Sequence, residues 1–263
     1  MRILICSDGT SGAIQLAELV SKMEFPSDTN ITVLGVREAT YDLAKLTASI
    51  DQIEKLLSKK HKVDRRIRNG NPIEEIMAEA IASSYDLVVV GGGGGQLGLL
   101  HPRLGSTTSK LARKLHTHFL VGRNIPEIII KILVCAGPDA PSNMTMKLGG
   151  KWLSNTSAKI GLLHVIPDLP ELPDQKPGKE YQDTLLIHAT QQLRETGLKN
   201  EILPLIRRGL VVDEVINELA DGDYQLLVVG AHYQPGQDRW QGTLWDDVTD
   251  QLLNKCHCSV LII

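Results

Sequence analysis

At 263 residues, with 42% apolar and 22% charged side chains, the chain can bury a sizeable core and has the composition of an ordinary globular protein. Its 28 Lys and Arg against 31 Asp and Glu leave a formal charge of -3, which gives no whole-protein attraction to nucleic acid or an anionic membrane. No apolar run approaches the roughly 18 to 20 residues that span a bilayer, and MRILICSDGT passes from a short apolar stretch straight into a turn without the h-region of a secretory leader, so a cytoplasmic protein is expected.

In chain order the first half reads as strand RILICS, a helix from Ser11 to Glu24, strand ITVLGV, a helix from Tyr41 to Lys59, and strand VDRRIR. It continues with a helix from Pro72 to Ser83, strand DLVVVG, a helix from Ser106 to Leu115, and strand HFLVG. Runs such as LVVV have no polar alternation, which suits strands buried on both faces of a parallel sheet. Strands separated by helices predict a right-handed, doubly wound, Rossmann-like α/β domain.

The second half repeats the first. ILICSDGT at Ile3 returns as ILVCAGPD at Ile132, and TVLGV ending at Val36 returns as GLLHV ending at Val165, both at an offset of 129. Farther on, RIRNG matches LIRRG and SYDLVVVGG matches DYQLLVVGA at an offset of 139, with 8 identities in the 22 positions from Gly70 to Gly91. The ten added residues fall in IPDLPELPDQKPGKE, where Pro167, Pro170, Pro173 and Pro177 favour an extended surface loop. A duplication predicts two domains, residues 1–124 and 130–263.

Ligands of such sheets sit beyond the carboxyl ends of the strands, at the switch point, which directs attention to the turns after strands one and four. The first turn, SDGT, carries Asp8 and lacks the GxGxxG of a dinucleotide-binding domain. The second is GGGGGQLGLLHPRLGSTTSK, a glycine-rich loop opening onto a helix, where free backbone N–H groups and the helix dipole favour an anion. Hydroxyls on Ser106 and Thr107 add donors, and the absence of a GK[ST] ending excludes a Walker A loop. Cys6 and Cys135 lie in apolar strands and read as reduced core thiols. The CHC at Cys256 to Cys258 lacks a second ligand pair, so no metal site is expected.

The spacing Gly92, two residues, Gly95, nine residues, Gly105, Ser106 resembles the GxxGx9G[ST] signature of the universal stress protein family, and the DGT after strand one is similar to its DGS. Val36 at the end of strand two and GNP at Gly70 to Pro72 also match, and the resemblance covers both halves. It implies five-stranded sheets in the order 3-2-1-4-5 that bind ATP with magnesium. Carried over by position, Asp8 meets the adenosine moiety, Val36 packs on the adenine, and Gly92 to Gly95 approach the phosphates. Gly105, Ser106 and Thr107 hold the phosphates, and Cys6 stands on the adenine edge where the family often has proline.

Three readings stand beside one another: an ATP-binding regulator in the stress response, a slow ATPase or autophosphorylating protein with Ser106 or Thr107 as acceptor, and a nucleotide-free dimerisation scaffold. The loop offers no second carboxylate for phosphoryl transfer, so binding is favoured over catalysis. The apolar end strands HFLVG and SVLII need cover, and the expectation is a pseudo-dimer of the two halves and a homodimer of chains. The second half is expected to have lost its nucleotide site, because Gly137 replaces Asp8, Tyr233 replaces a loop glycine, and Gly230 to Gly242 is one residue short of the signature. All three tryptophans (Trp152, Trp240, Trp245) lie in that half.

Overall fold

A computed structural model describes residues 1–38, 42–92, 106–115, 117–137, 140–167, 179–230 and 247–263. Contacts divide the chain into two compact units, Met1–Glu127 with Ser259–Leu261, and Ile128–Cys258 with Ile262–Ile263.

In the first unit β1 (Arg2–Ser7), α1 (Ser11–Ser21), β2 (Asn30–Arg37), α2 (Leu43–Leu57) and β3 (Lys62–Asn69) are followed by α3 (Pro72–Ser83), β4 (Leu87–Gly91), α4 (Ser106–Lys114) and β5 (His118–Gly122). The strands run parallel in the order β3-β2-β1-β4-β5, with Ile3 opposite Ile31 on one side and Leu87 on the other. Ile3, Leu4, Ile5, Val88, Val89 and Phe119 are fully buried, which is why these strands read as unbroken apolar runs. The helices keep the expected order: α3 has the expected bounds, and α1, α2 and α4 are shorter. Asp42 caps α2 by accepting a hydrogen bond from Ala44 N at 2.9 Å, so the helix begins at Leu43.

The second unit repeats the pattern with β6 (Lys131–Cys135), β7 (Lys159–Ile166), β8 (Ile202–Arg208) and β9 (Leu226–Val229), in the order β9-β6-β7-β8, and the last strand of the chain is β10 (Ser259–Ile262). Its helices are α5 (Ala140–Met144), α6 (Gly150–Leu153), α7 (Lys179–Glu195), α8 (Val211–Gly222) and α9 (Asp247–Lys255). A π-helical turn, Thr145–Gly149, joins α5 to α6, a break that no residue pattern announces.

The turns into α3 and α8 are built alike. Gly70 has φ +146° and Gly209 φ +144°, values that L side chains rarely adopt, and a Cβ on either would stand 3.1 or 3.0 Å from Oε1 of Glu75 or Glu214. Asn71 then caps α3 through Ile73 N at 2.9 Å, with Pro72 at its start and Glu74 and Glu75 in the first turn. Gly70→Ala is expected to cost about 2 kcal/mol, from backbone strain together with crowding at Glu75. Urea denaturation reads it directly, and an unchanged midpoint would mean the turn relaxes to another conformation.

Behind α3 lies a charged cluster that the sequence reading did not anticipate. Glu79 is fully buried, yet Oε1 accepts from Arg66 Nη1 at 2.5 Å, Tyr85 Oη at 2.7 Å and Ser83 Oγ at 3.1 Å, while Oε2 accepts from Arg68 Nη2 at 2.5 Å. The second unit keeps a leaner copy at the 139 offset: Glu218 accepts from Arg207 Nε at 2.6 Å and Tyr224 Oη at 3.3 Å. Each cluster ties a helix to the edge strand and to the approach to the next strand.

Candidate functional site

In the first unit a parallel sheet points every strand's carboxyl end to one edge, and that edge gathers the described residues that sequence reasoning singled out. At the end of β1, Asp8 is exposed, and its Oδ1 accepts from Thr10 N at 3.0 Å and Thr10 Oγ1 at 2.6 Å. This is a side-chain turn of the kind aspartate favours. Asp8 Oδ2 has no hydrogen bond among the described residues and is open to a ligand donor. The neighbouring Gly9 takes φ +79°, and a Cβ there would lie 3.2 Å from Leu46 Cα, so the turn sits directly against α2. Ser7 fixes its inner side: its hydroxyl accepts from Gly9 N at 3.2 Å and pairs with Ser49 Oγ at 3.0 Å.

Cys6 lies one step below. Burial first, and the nearby Glu79 carboxylate second, push its thiol well above the ordinary cysteine range, which favours the neutral thiol. Burial likewise pushes the Cys135 thiol of the second unit up to about 12. Val36 is half-buried at the end of β2, opposite Arg68 of β3.

At the end of β4, Gly92 is buried, and its N–H donates to Gly122 O at 2.7 Å. A Cβ there would run into the Arg123 side chain and stand 2.9 Å from Gly122 O. The glycine is therefore demanded by packing against the end of β5, and its amide is already engaged. Gly95 and Gly105 lie outside the described residues, as do Tyr233, Trp240, Gly242, Thr243 and Trp245 of the second half. Ser106 opens α4, and Thr107 is half-buried in its first turn.

One residue at this edge escaped the sequence reading. Thr108 is 4% exposed and its Oγ1 donates to Gly91 O at 2.8 Å, pinning the start of α4 to the end of β4. The only signal was a third hydroxyl in the run STTS. No acidic residue occupies the first turn of α4, so nothing there opposes an anion at the positive end of the helix.

The corresponding edge of the second unit is different. Gly137 stands at the position of Asp8 at the 129 offset and its N–H donates to Ser142 Oγ at 3.0 Å. His164, at the position of Gly35, is buried with Nδ1 2.9 Å from Ala136 O. Among the described residues no three His, Cys, Asp or Glu side chains gather as a metal ion would require, and no helix is long and apolar enough to cross a membrane.

Two tandem α/β units, the first with a glycine-rich sequence before the helix that starts at Ser106, define a class, and comparison with known proteins gives it a name. A model of the universal stress protein family matches residues 1–123 and again 130–263, and the chain belongs to that family. Among solved structures it is similar to a universal stress protein from Archaeoglobus fulgidus DSM 4304, at 13% identity and TM-score 0.66, covering 99% of this chain and 97% of that one. It is also similar to a functionally unknown protein from Pseudomonas aeruginosa PAO1, at 16% identity and TM-score 0.68, covering 100% and 92%. At these identities the likeness concerns the fold. No curated protein matches.

Proposed function

We propose that the first unit binds ATP with magnesium at the carboxyl edge of its sheet, and that nucleotide occupancy regulates which partners the chain engages in the stress response. The observation that carries this reading is the start of α4: the spacing from Gly92 to Ser106 leads into a helix pinned to β4 by Thr108 and free of acidic residues in its first turn. On the adjacent strand, Asp8 keeps one carboxylate oxygen for the ribose hydroxyls. The sequence carries the kind of donors a triphosphate calls for, backbone N–H groups at the start of α4 and the Ser106 and Thr107 hydroxyls. Magnesium bound here would be held chiefly by the phosphates and water. When bound, MgATP supplies the charge that the loop reads.

Cys6 and Val36 provide a neutral floor and wall for the adenine, Asp8 orients the ribose, and Gly95, Gly105, Ser106 and Thr107 approach the phosphates. The chain acts in the cytoplasm as a homodimer. Calorimetric titration of the full chain with MgATP tests the binding, and absence of heat at saturating nucleotide overturns it.

Hydrolysis is at most slow. Phosphoryl transfer needs a base or water-orienting group beside the phosphates, and residues 91–110 contain no Asp or Glu. The expected turnover is far below the ~10 per second typical of enzymes. A sustained rate of that order, lost in Ser106→Ala, would make the protein an ATPase.

A further inference from the structure

At the carboxyl end of β6 in the second unit, α5 and α7 part to leave a cleft of about 210 Å³. We propose that this cleft binds a small uncharged polyhydroxylated molecule of monosaccharide size, independently of the nucleotide site proposed for the first unit.

The duplication supplies an internal comparison. In the first unit the same seam is shut: a Cβ on Gly9 would touch Leu46 Cα at 3.2 Å, and one on Gly35 would stand 2.7 Å from Ile50 Cδ1. In the second unit an imidazole, that of His164, replaces Gly35, so α7 cannot lie on its strand as closely as α2 does. The result is visible at Gly137, where an added Cβ would meet nothing within 4 Å. The helix after the first strand has changed with it. Ala13 and Ile14 are replaced at the 129 offset by Ser142 and Asn143, and both line the cleft.

Across from them α7 presents Thr184, His188 and Gln192, one residue every helical turn, with Leu185 and Ala189 as an apolar strip beside them. Gln192 Nε2 donates to Asn143 Oδ1 at 2.9 Å, which leaves Gln192 Oε1 and Asn143 Nδ2 without partners among the described residues. Ser142 Oγ accepts from Gly137 N and keeps its own proton to donate. The described lining therefore offers both acceptors and donors, which hydroxyl groups answer, with Leu185 and Ala189 beside them for a ring's C–H face.

Charge and size narrow the ligand further. None of the described lining residues is Asp, Glu, Lys or Arg, so these side chains offer a charged ligand no counter-ion. The volume corresponds to about seven water molecules at ~30 Å³ each, and lies below the ~300 Å³ at which drug-sized pockets begin.

The test is a titration of the full chain with myo-inositol, followed by backbone amide resonances. Saturable shifts at Gly137, Asn143 and His188 are expected, with an apparent Kd of about 1 mM, the range for a ligand of about twelve non-hydrogen atoms. His188→Leu and Gln192→Leu, on the outer side of the cleft, should each weaken binding about tenfold while leaving the rest of the spectrum unchanged. Saturating MgATP should leave the inositol shifts in place, and inositol phosphates should bind no better than inositol. No saturable shifts, shifts that survive both substitutions, displacement by ATP, or preference for the phosphorylated probe would each overturn the proposal.

Discussion

Glu79→Ala is expected to destabilise the first unit by about 3 kcal/mol, the scale on which breaking a buried charge cluster acts. The carboxylate is fully buried and accepts four hydrogen bonds, two of them from guanidinium groups at 2.5 Å. Its loss takes one partner from the buried Tyr85 hydroxyl, which keeps its hydrogen bond with Thr32, and leaves Arg66 and Arg68 without a common anchor, although both arginines are partly exposed and can turn to water, which keeps the cost below the upper end. Glu218→Ala should cost about half as much, because Glu218 has one arginine and a longer tyrosine contact. Hydrogen exchange of the β3 and β4 amides, compared with β8 and β9, reads the two effects separately. Equal protection in wild type and Glu79→Ala would show the cluster to be energetically idle.

The same cluster has a pH signature. Burial alone would raise the Glu79 pKa, but hydrogen bonds from Tyr85, Arg66 and Ser83 and the Arg66 charge outweigh it and hold the carboxyl below its ordinary value. A depressed folded-state pKa contributes stability above the unfolded value, near 4.3, and loses it as the pH falls through the folded value. The penalty of Glu79→Gln should therefore be complete at neutral pH and shrink in acid. A penalty of the same size at every pH from neutral to about 3 would assign the effect to packing instead.

What was legible in the sequence was whatever repeats or buries on both faces. ILICS, TVLGV and LVVV announced β1, β2 and β4 because both faces of these strands are covered, and the 129 and 139 offsets announced the second copy. The Glu79 cluster was present in the same alignment, where Arg68, Glu79 and Tyr85 meet Arg207, Glu218 and Tyr224 at one offset. Nothing in a linear reading brings α3, β3 and the approach to β4 together, so their partnership needed the fold. Gly92 was legible as a loop glycine, but its packing against Arg123 and Gly122 was not. The cleft of the second unit was hidden for a related reason. It is lined by Gly137, Ser142 and Asn143 where the first copy has Asp8, Ala13 and Ile14, substitutions that read in sequence as ordinary turn and helix residues.

Gly105→Asp is expected to weaken MgATP binding by at least about tenfold, or about 1.4 kcal/mol. The signature spacing puts Gly105 immediately before the helix whose first turn carries no acidic residue, so an aspartate introduces a negative charge and bulk where, in the proposed site, backbone N–H groups would meet the phosphates. Retained far-ultraviolet circular dichroism separates a local effect from misfolding. Stoichiometry adds a second readout, because the second half has Gly137 in place of Asp8 and commits that glycine's N–H to Ser142. Binding should saturate at one nucleotide per chain and disappear as a single event in Gly105→Asp. Two equivalents in the wild type, with one surviving the substitution, would show that the second unit holds nucleotide as well. Wild-type affinity in a folded Gly105→Asp protein would remove the phosphates from the start of α4 altogether.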